Sequence, residues 1–375
     1  MTQIDTVLLK VSSRCNINCD YCYIYQMGDT GWMKMPKSMS QETIDAIIDS
    51  LKSLAESQNK GFAVVLHGGE PLALGKEKLT LLLRGLCATL PAECKLSLQT
   101  NGTLLTKSVL DLCSETRTTV AVSLDGPKHI HDVHRLDANK EGTFERTIAG
   151  IQLLQSHPDK NLFAGILTVI DPETNPEEIY TFFKQLEVPS MDFLYRDGNH
   201  SSLPFKKAAF ESLEYGQWLS RLWDLYIADP NPVPVSILDD ITRSILGGYG
   251  SKEGMGTRVY GVVIIDTDGS ITMNDTLKSS YDGADRFSST WSIQSNSLFD
   301  IACTDEFHKY SLLQKPTCET CRNCSYLETC GGGMPLYRWR EDNGYDNPSV
   351  YCHDHQFVID RIRSKVHKLL TCNAA

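Results

Sequence analysis

The chain is 375 residues long, 41 % hydrophobic and 22 % charged, the composition of a globular protein that buries a sizeable core. Its net charge of −11 argues against a general affinity for nucleic acid or for an anionic membrane surface. No run reaches transmembrane length and no secretory signal is visible, so thirteen cysteines point to a reducing, cytoplasmic setting in which thiols bind metal.

Residues 6–11 predict a strand, and Arg14-Cys15-Asn16-Ile17-Asn18-Cys19-Asp20-Tyr21-Cys22-Tyr23 follows it. Ser40 is a helix cap ahead of Ile44, Ile47, Ile48, Leu51 and Leu54 at helical spacing. Further strands are predicted over 62–66, 95–99, 119–123, 162–169 and 191–195. Helices near 76–90, 107–113, 143–154 and 176–186 alternate with them. Six strand–helix units predict an α/β fold, a parallel sheet with helices outside, curled as a partial (β/α)6 barrel with its active residues at the strands' C-terminal ends. Residues 205–246 read as helical with a break at 231–234, and Gly247-Gly248-Tyr249-Gly250 marks a junction. A hairpin over 262–273 turns at Asp266-Thr267-Asp268-Gly269, cysteines crowd from Cys318 onward, and a last helix spans about 354–370. The expected division is 1–235, a linker over 236–257, and 258–375.

Thiolates are soft ligands that suit iron–sulfur clusters and zinc. Three of them leave one corner of a four-iron cluster open, whereas structural zinc wants four closed ligands. The spacing of Cys15, Cys19 and Cys22, with Tyr21 just before the last, is the signature of radical S-adenosylmethionine (radical SAM) enzymes, which this sequence resembles. The resemblance implies a 4Fe-4S cluster on those cysteines, with S-adenosyl-L-methionine on the open iron and Tyr21 and Tyr23 beside it. It also gives meaning to the strand ends. Gly68, Gly69 and Glu70 of His67-Gly68-Gly69-Glu70-Pro71 match the motif that holds the methionine amino group; without the resemblance they read as an ordinary turn. Gln99-Thr100-Asn101-Gly102 and Ser123-Leu124-Asp125-Gly126-Pro127 could equally be turn formers. By resemblance, Asn101, Ser123 and Arg135 contact the cofactor and Leu167 lies against adenine, though core packing is the simpler reading of Leu167. His129, His131 and His134 are expected in a solvated loop, since Arg135 beside them opposes a metal.

Cys318-Glu319-Thr320-Cys321-Arg322-Asn323-Cys324, then Cys330-Gly331-Gly332-Gly333 and Tyr351-Cys352, resemble the C-terminal SPASM domain of peptide-modifying radical enzymes. The fold expected is therefore a partial (β/α)6 radical SAM barrel with a C-terminal SPASM-like auxiliary iron–sulfur domain. Relatives carry seven cysteines and two auxiliary clusters. Here Met334 and Met273-Asn274-Asp275 stand where further ligands are expected. The resemblance thus implies one auxiliary 4Fe-4S cluster, on Cys321, Cys324, Cys330 and Cys352, with Cys318 as a substitute ligand or free thiol. A four-cysteine zinc site competes.

The resemblance to maturases of ribosomally made peptides (RiPP maturation) suggests an oxidoreductase. Its 5′-deoxyadenosyl radical would take hydrogen from a precursor peptide and join an aromatic ring carbon to a neighbour's β-carbon, giving a cyclophane. Asp197, after the sixth strand, is the candidate base. A small flavodoxin- or ferredoxin-type protein would supply electrons. Formylglycine formation of the anaerobic sulfatase-maturase kind is the alternative. A non-catalytic iron–sulfur electron carrier would explain the cysteines but not Gly68-Gly69-Glu70.

Overall fold

The computed structural model describes residues 3–58, 60–251 and 253–372, without the side chain of Cys372. Two compact units interleave along the chain, where the sequence suggested consecutive segments. One comprises the chain up to Leu124 with Lys128–Ile166 and Tyr260–Ser311; the other comprises Asp125–Pro127, Leu167–Val259 and the chain from Leu312 on.

In the first unit Thr6–Ser12 is a central strand, and its Val7, Leu9 and Val11 are fully buried. Ala63–Gly68 pairs parallel to it, Lys95–Thr100 parallel to that, and Thr118–Ser123 parallel again. The first residues of Phe163–Val169 continue this order. Apolar residues on both faces suit strands covered by helices on both sides. Gln41–Ser57 begins at Ser40, whose hydroxyl accepts the Thr43 N–H at 3.1 Å, and it buries Ile44, Ile47, Leu51 and Leu54. Lys76–Thr89 packs on it so closely that a Cβ on Gly85 would lie 2.3 Å from Ile48.

The hairpin differs from expectation in its allegiance. Val262–Ile265 pairs parallel with Thr6–Ser12, on the edge opposite Ala63–Gly68, and Ser270–Thr272 and Trp291–Ser292 extend the sheet antiparallel. Four consecutive buried residues, Val262 to Ile265, suit a strand paired on both edges inside a sheet, as this one is with Thr6–Ser12 and Ser270–Thr272.

In the second unit Leu167–Val169 ends its strand beside Met191–Leu194. Asn175 caps Pro176–Gln185. The expected helical stretch is two helices, Glu214–Ala228 and Ser236–Ile245. The terminal helix Cys352–Cys372 packs on Glu214–Ala228 so tightly that a Cβ on Gly216 would meet Asp354 Cα at 2.9 Å. Among the described residues no helix is long and apolar enough to cross a membrane.

Candidate functional site

The first unit gathers the cysteine loop and three strand ends. Ile17–Cys19 forms an antiparallel ribbon with Arg135–Asp137, which places Cys19 opposite Arg135. The next residue, Asp20, accepts from His134 Nδ1 at 2.9 Å, and Arg14 donates to Trp32 O at 2.8 Å with its guanidinium over that indole. The loop is thus held from both sides, with Cys15, Cys19 and Cys22 half-buried. Their sulfurs meet donors: Asn101 Nδ2 lies 3.8 Å from Cys15 Sγ, and Arg135 Nη1 3.9 Å from Cys19 Sγ. Burial, the Glu70 carboxylate and the neighbouring thiols push the Cys15 thiol up to about 12, although the Ile17 N–H opposes this. Three thiolates crowded here require a cation to stay ionised, so this donor set fits a metal cluster.

His131 and His134 are a correction to the sequence reading. They lie on a helix, Lys128–His134, and both are buried. His131 Nε2 bonds the Thr143 hydroxyl at 3.0 Å, while His134 serves the Asp20 clamp. Short-range polarity suggested a loop; in the fold His131 packs on Phe144 and His134 on Tyr21, contacts that local polarity does not show. His129 is exposed.

The glycines of His67-Gly68-Gly69-Glu70 are required by the loop's approach. A Cβ on Gly68 would sit 2.2 Å from Ser12 O, and one on Gly69 would sit 2.1 Å from Tyr25 Oη and 2.4 Å from the Arg14 carbonyl. Glu70 is buried and spans two strand ends. It accepts from Thr100 Oγ1 at 2.7 Å, the Asn101 N–H at 2.9 Å and the Leu72 N–H at 3.1 Å. Burial nevertheless raises its carboxyl to about 7. The Ser123 hydroxyl accepts from Gln99 Nε2 at 2.9 Å. Arg135 is buried, with its guanidinium over the Tyr21 ring. In the second unit Leu167 is half-buried rather than core, and Asp125 Oδ1 accepts the Val169 N–H, a structural role for that motif's aspartate.

A charge network that the sequence reading missed lies in the first unit. Lys10 Nζ is 3.0 Å from Asp275 Oδ2 and 3.9 Å from Asp266 Oδ2, all three buried. Tyr23 donates its hydroxyl to the same Asp275 oxygen at 3.0 Å. Burial alone would raise the Asp275 carboxyl, but Lys10, His67 and Lys278 outweigh it and hold it below the usual range. The only hint in sequence is a lysine inside an otherwise apolar central strand.

In the second unit Cys321, Cys324, Cys330 and Cys352 line one pocket, together with Gly332, Ser349 and Gln356. Cys318 is buried at the N-terminal end of the short Glu319–Arg322 helix, next to Cys321, whose thiol it helps to push upward. Gly331, Gly332 and Gly333 all have φ between 68° and 85°, and a Cβ on Gly331 would lie 1.9 Å from Gly256 O. The left-handed run folds back on Cys330, with the Gly333 N–H donating to the Cys330 carbonyl at 3.4 Å, and these backbone N–H groups oppose the effect of burial on the thiol. Burial still raises the Cys330 thiol to about 12. Among the described residues no three His, Cys, Asp or Glu side chains converge closely enough to hold a single metal ion. The four cysteines instead surround a pocket that could hold a cluster. Asp197 is half-buried, and its charge adds to the burial that pushes the Tyr337 and Tyr351 phenols upward.

Residues 9–186 match the family model of the Radical SAM superfamily. The chain is 26 % identical over 381 residues to a cysteine-type anaerobic sulfatase-maturating enzyme of Clostridium novyi (strain NT), covering 98 % of this chain and 97 % of that one. The structure of native anSMEcpe with bound AdoMet is similar at a TM-score of 0.84 and 24 % identity, over 97 % of this chain and 98 % of that one. Streptococcus suis SuiB bound to precursor peptide SuiA is similar at a TM-score of 0.66 and 14 % identity, over 94 % and 76 %. At these identities the structural likenesses speak to fold alone.

Proposed function

We propose, from the match of residues 9–186 to the Radical SAM superfamily model, that this chain oxidises a side chain of a peptide or protein at its β-carbon, converting a cysteine or serine to formylglycine. One observation carries the reading: likeness to a cysteine-type sulfatase-maturating enzyme runs over nearly the whole of both chains, so it takes in the second unit as well as the first. When bound, a reduced four-iron cluster with S-adenosylmethionine supplies a hydrogen-abstracting 5′-deoxyadenosyl radical, and an auxiliary cluster supplies an acceptor for the second electron.

The residues have separable tasks. Cys15, Cys19 and Cys22 would hold the first cluster, and Asn101 and Arg135 aim N–H groups at two of those sulfurs. Gly68, Gly69 and Glu70 would receive the methionine amino group, Ser123 its carboxylate or ribose, and Leu167 the adenine, with Tyr21 and Tyr23 beside the loop. Cys321, Cys324, Cys330 and Cys352 would hold the auxiliary cluster. Asp197 is the candidate for taking the substrate proton. Asp197→Asn with an unchanged rate of substrate oxidation would remove it from that role.

A second reading is favoured by a specific feature. Met334 and Met273-Asn274-Asp275 stand where the resemblance leads one to expect further ligands, which fits a single auxiliary cluster and the cyclophane-forming maturases. One experiment separates the two. Co-expression with cysteine-type sulfatase peptides and with short precursor peptides, followed by fragment mass spectrometry, should show sulfur exchanged for oxygen with loss of two hydrogens at one cysteine. Loss of two hydrogens with fragments joined across an aromatic residue would establish the crosslink instead.

A further inference from the structure

The four-cysteine pocket of the second unit is fed by hydrogen-bond donors from one face of the terminal helix. His355 Nδ1 lies 3.3 Å from Cys330 Sγ. On the next residue, Gln356 Nε2 lies 3.7 Å from Cys352 Sγ and 3.9 Å from Cys324 Sγ. The imidazole is 2 % exposed, with its centroid 5.1 Å from that of Tyr195 and 6.2 Å from that of Tyr351. Packing therefore fixes the ring's direction, and solvent does not compete for it. A thiolate bound to metal carries no proton, so the ring nitrogen facing it must be the N–H donor. Three of the four sulfurs, those of Cys330, Cys352 and Cys324, thus meet side-chain donors from this helix.

We infer that His355 and Gln356 are positioning residues that set the reduction potential of the auxiliary cluster by hydrogen-bonding its ligand sulfurs. An N–H directed at a ligand sulfur draws electron density away from the metals and stabilises the reduced, more negative state, which raises the potential. His355 acts at the short contact and Gln356 at two longer ones, so the first has the larger effect. A raised potential suits an electron acceptor for substrate oxidation. The inference rests on the proposed auxiliary cluster.

The test uses the full chain carrying Cys15→Ala, Cys19→Ala and Cys22→Ala, so that only the auxiliary cluster remains. Iron content and the midpoint potential from a redox titration followed by electron paramagnetic resonance are compared with and without His355→Leu or Gln356→Leu. The expected result is retained iron with a more negative midpoint in both, further for His355→Leu. Retained iron with an unmoved midpoint in both variants overturns the inference and leaves the cluster standing. If His355→Leu binds no iron, Gln356→Leu decides by the same shift or its absence. A triple-alanine background without iron overturns the cluster itself, and the inference with it.

Discussion

At Glu70, burial and function pull in different directions. Three donors hold a carboxylate whose desolvation raises it to about 7. A free glutamate titrates near about 4.3, so between these values the folded chain keeps a proton that the unfolded chain has lost. The group's contribution to stability is full below the unfolded value and falls as pH rises toward 7. In urea titrations of the metal-free protein, Glu70→Gln should flatten the fall in stability over this range; an unchanged slope would contradict the environment described. Gly69 makes a steric prediction. Gly69→Ala drives a Cβ into the Tyr25 hydroxyl and the Arg14 backbone, and overpacking of this kind costs about 1–3 kcal/mol. Chemical denaturation should show that loss. The residue types around Glu70 were legible because the motif is contiguous. The Lys10–Asp275–Tyr23 network was not, because its members lie 252 residues apart for Tyr23 and Asp275 and only strand pairing joins them.

At the level of elements, the alternation of strands and helices was legible: each of the six predicted strands forms, within a residue or two of its expected ends. Continuous apolar runs and caps such as Ser40 carry that information locally. Allegiance between distant elements is not local, and this is where expectation failed. The Val262–Ile265 hairpin joins the sheet of the first unit, and His134 is buried against Tyr21 and Asp20 of the distant cysteine loop. In the second unit the Glu214–Ala228 and Cys352–Cys372 helices are tied by Asp354. It accepts the Gly216 N–H at 2.7 Å and pairs with Lys207 at 2.6 Å, with both side chains of the pair fully buried. Removing one partner of a buried pair strands the other charge and costs about 3–5 kcal/mol. Lys207→Met should therefore lower the urea midpoint far more than Lys107→Met, whose partner Asp111 is exposed. Equal losses would show that the buried pair carries no special weight.

For the whole molecule, the cysteine spacing announced two groups of thiols, and the fold gathers Cys15, Cys19 and Cys22 in one loop and lines one pocket with Cys321, Cys324, Cys330 and Cys352. The part of Cys318 was not legible in the spacing, which allowed it a place, whereas the pocket is lined by Cys321, Cys324, Cys330 and Cys352. Cys318→Ser should accordingly retain the auxiliary iron that Cys321→Ser loses, as measured by iron analysis. The most direct measurement is anaerobic incubation of the reduced, reconstituted protein with S-adenosylmethionine, reading 5′-deoxyadenosine and methionine by chromatography. The account predicts both products from the natural chain and from Cys321→Ala, and neither from Cys15→Ala, Cys19→Ala or Cys22→Ala; no 5′-deoxyadenosine from the natural chain, or undiminished product from Cys15→Ala, would contradict it.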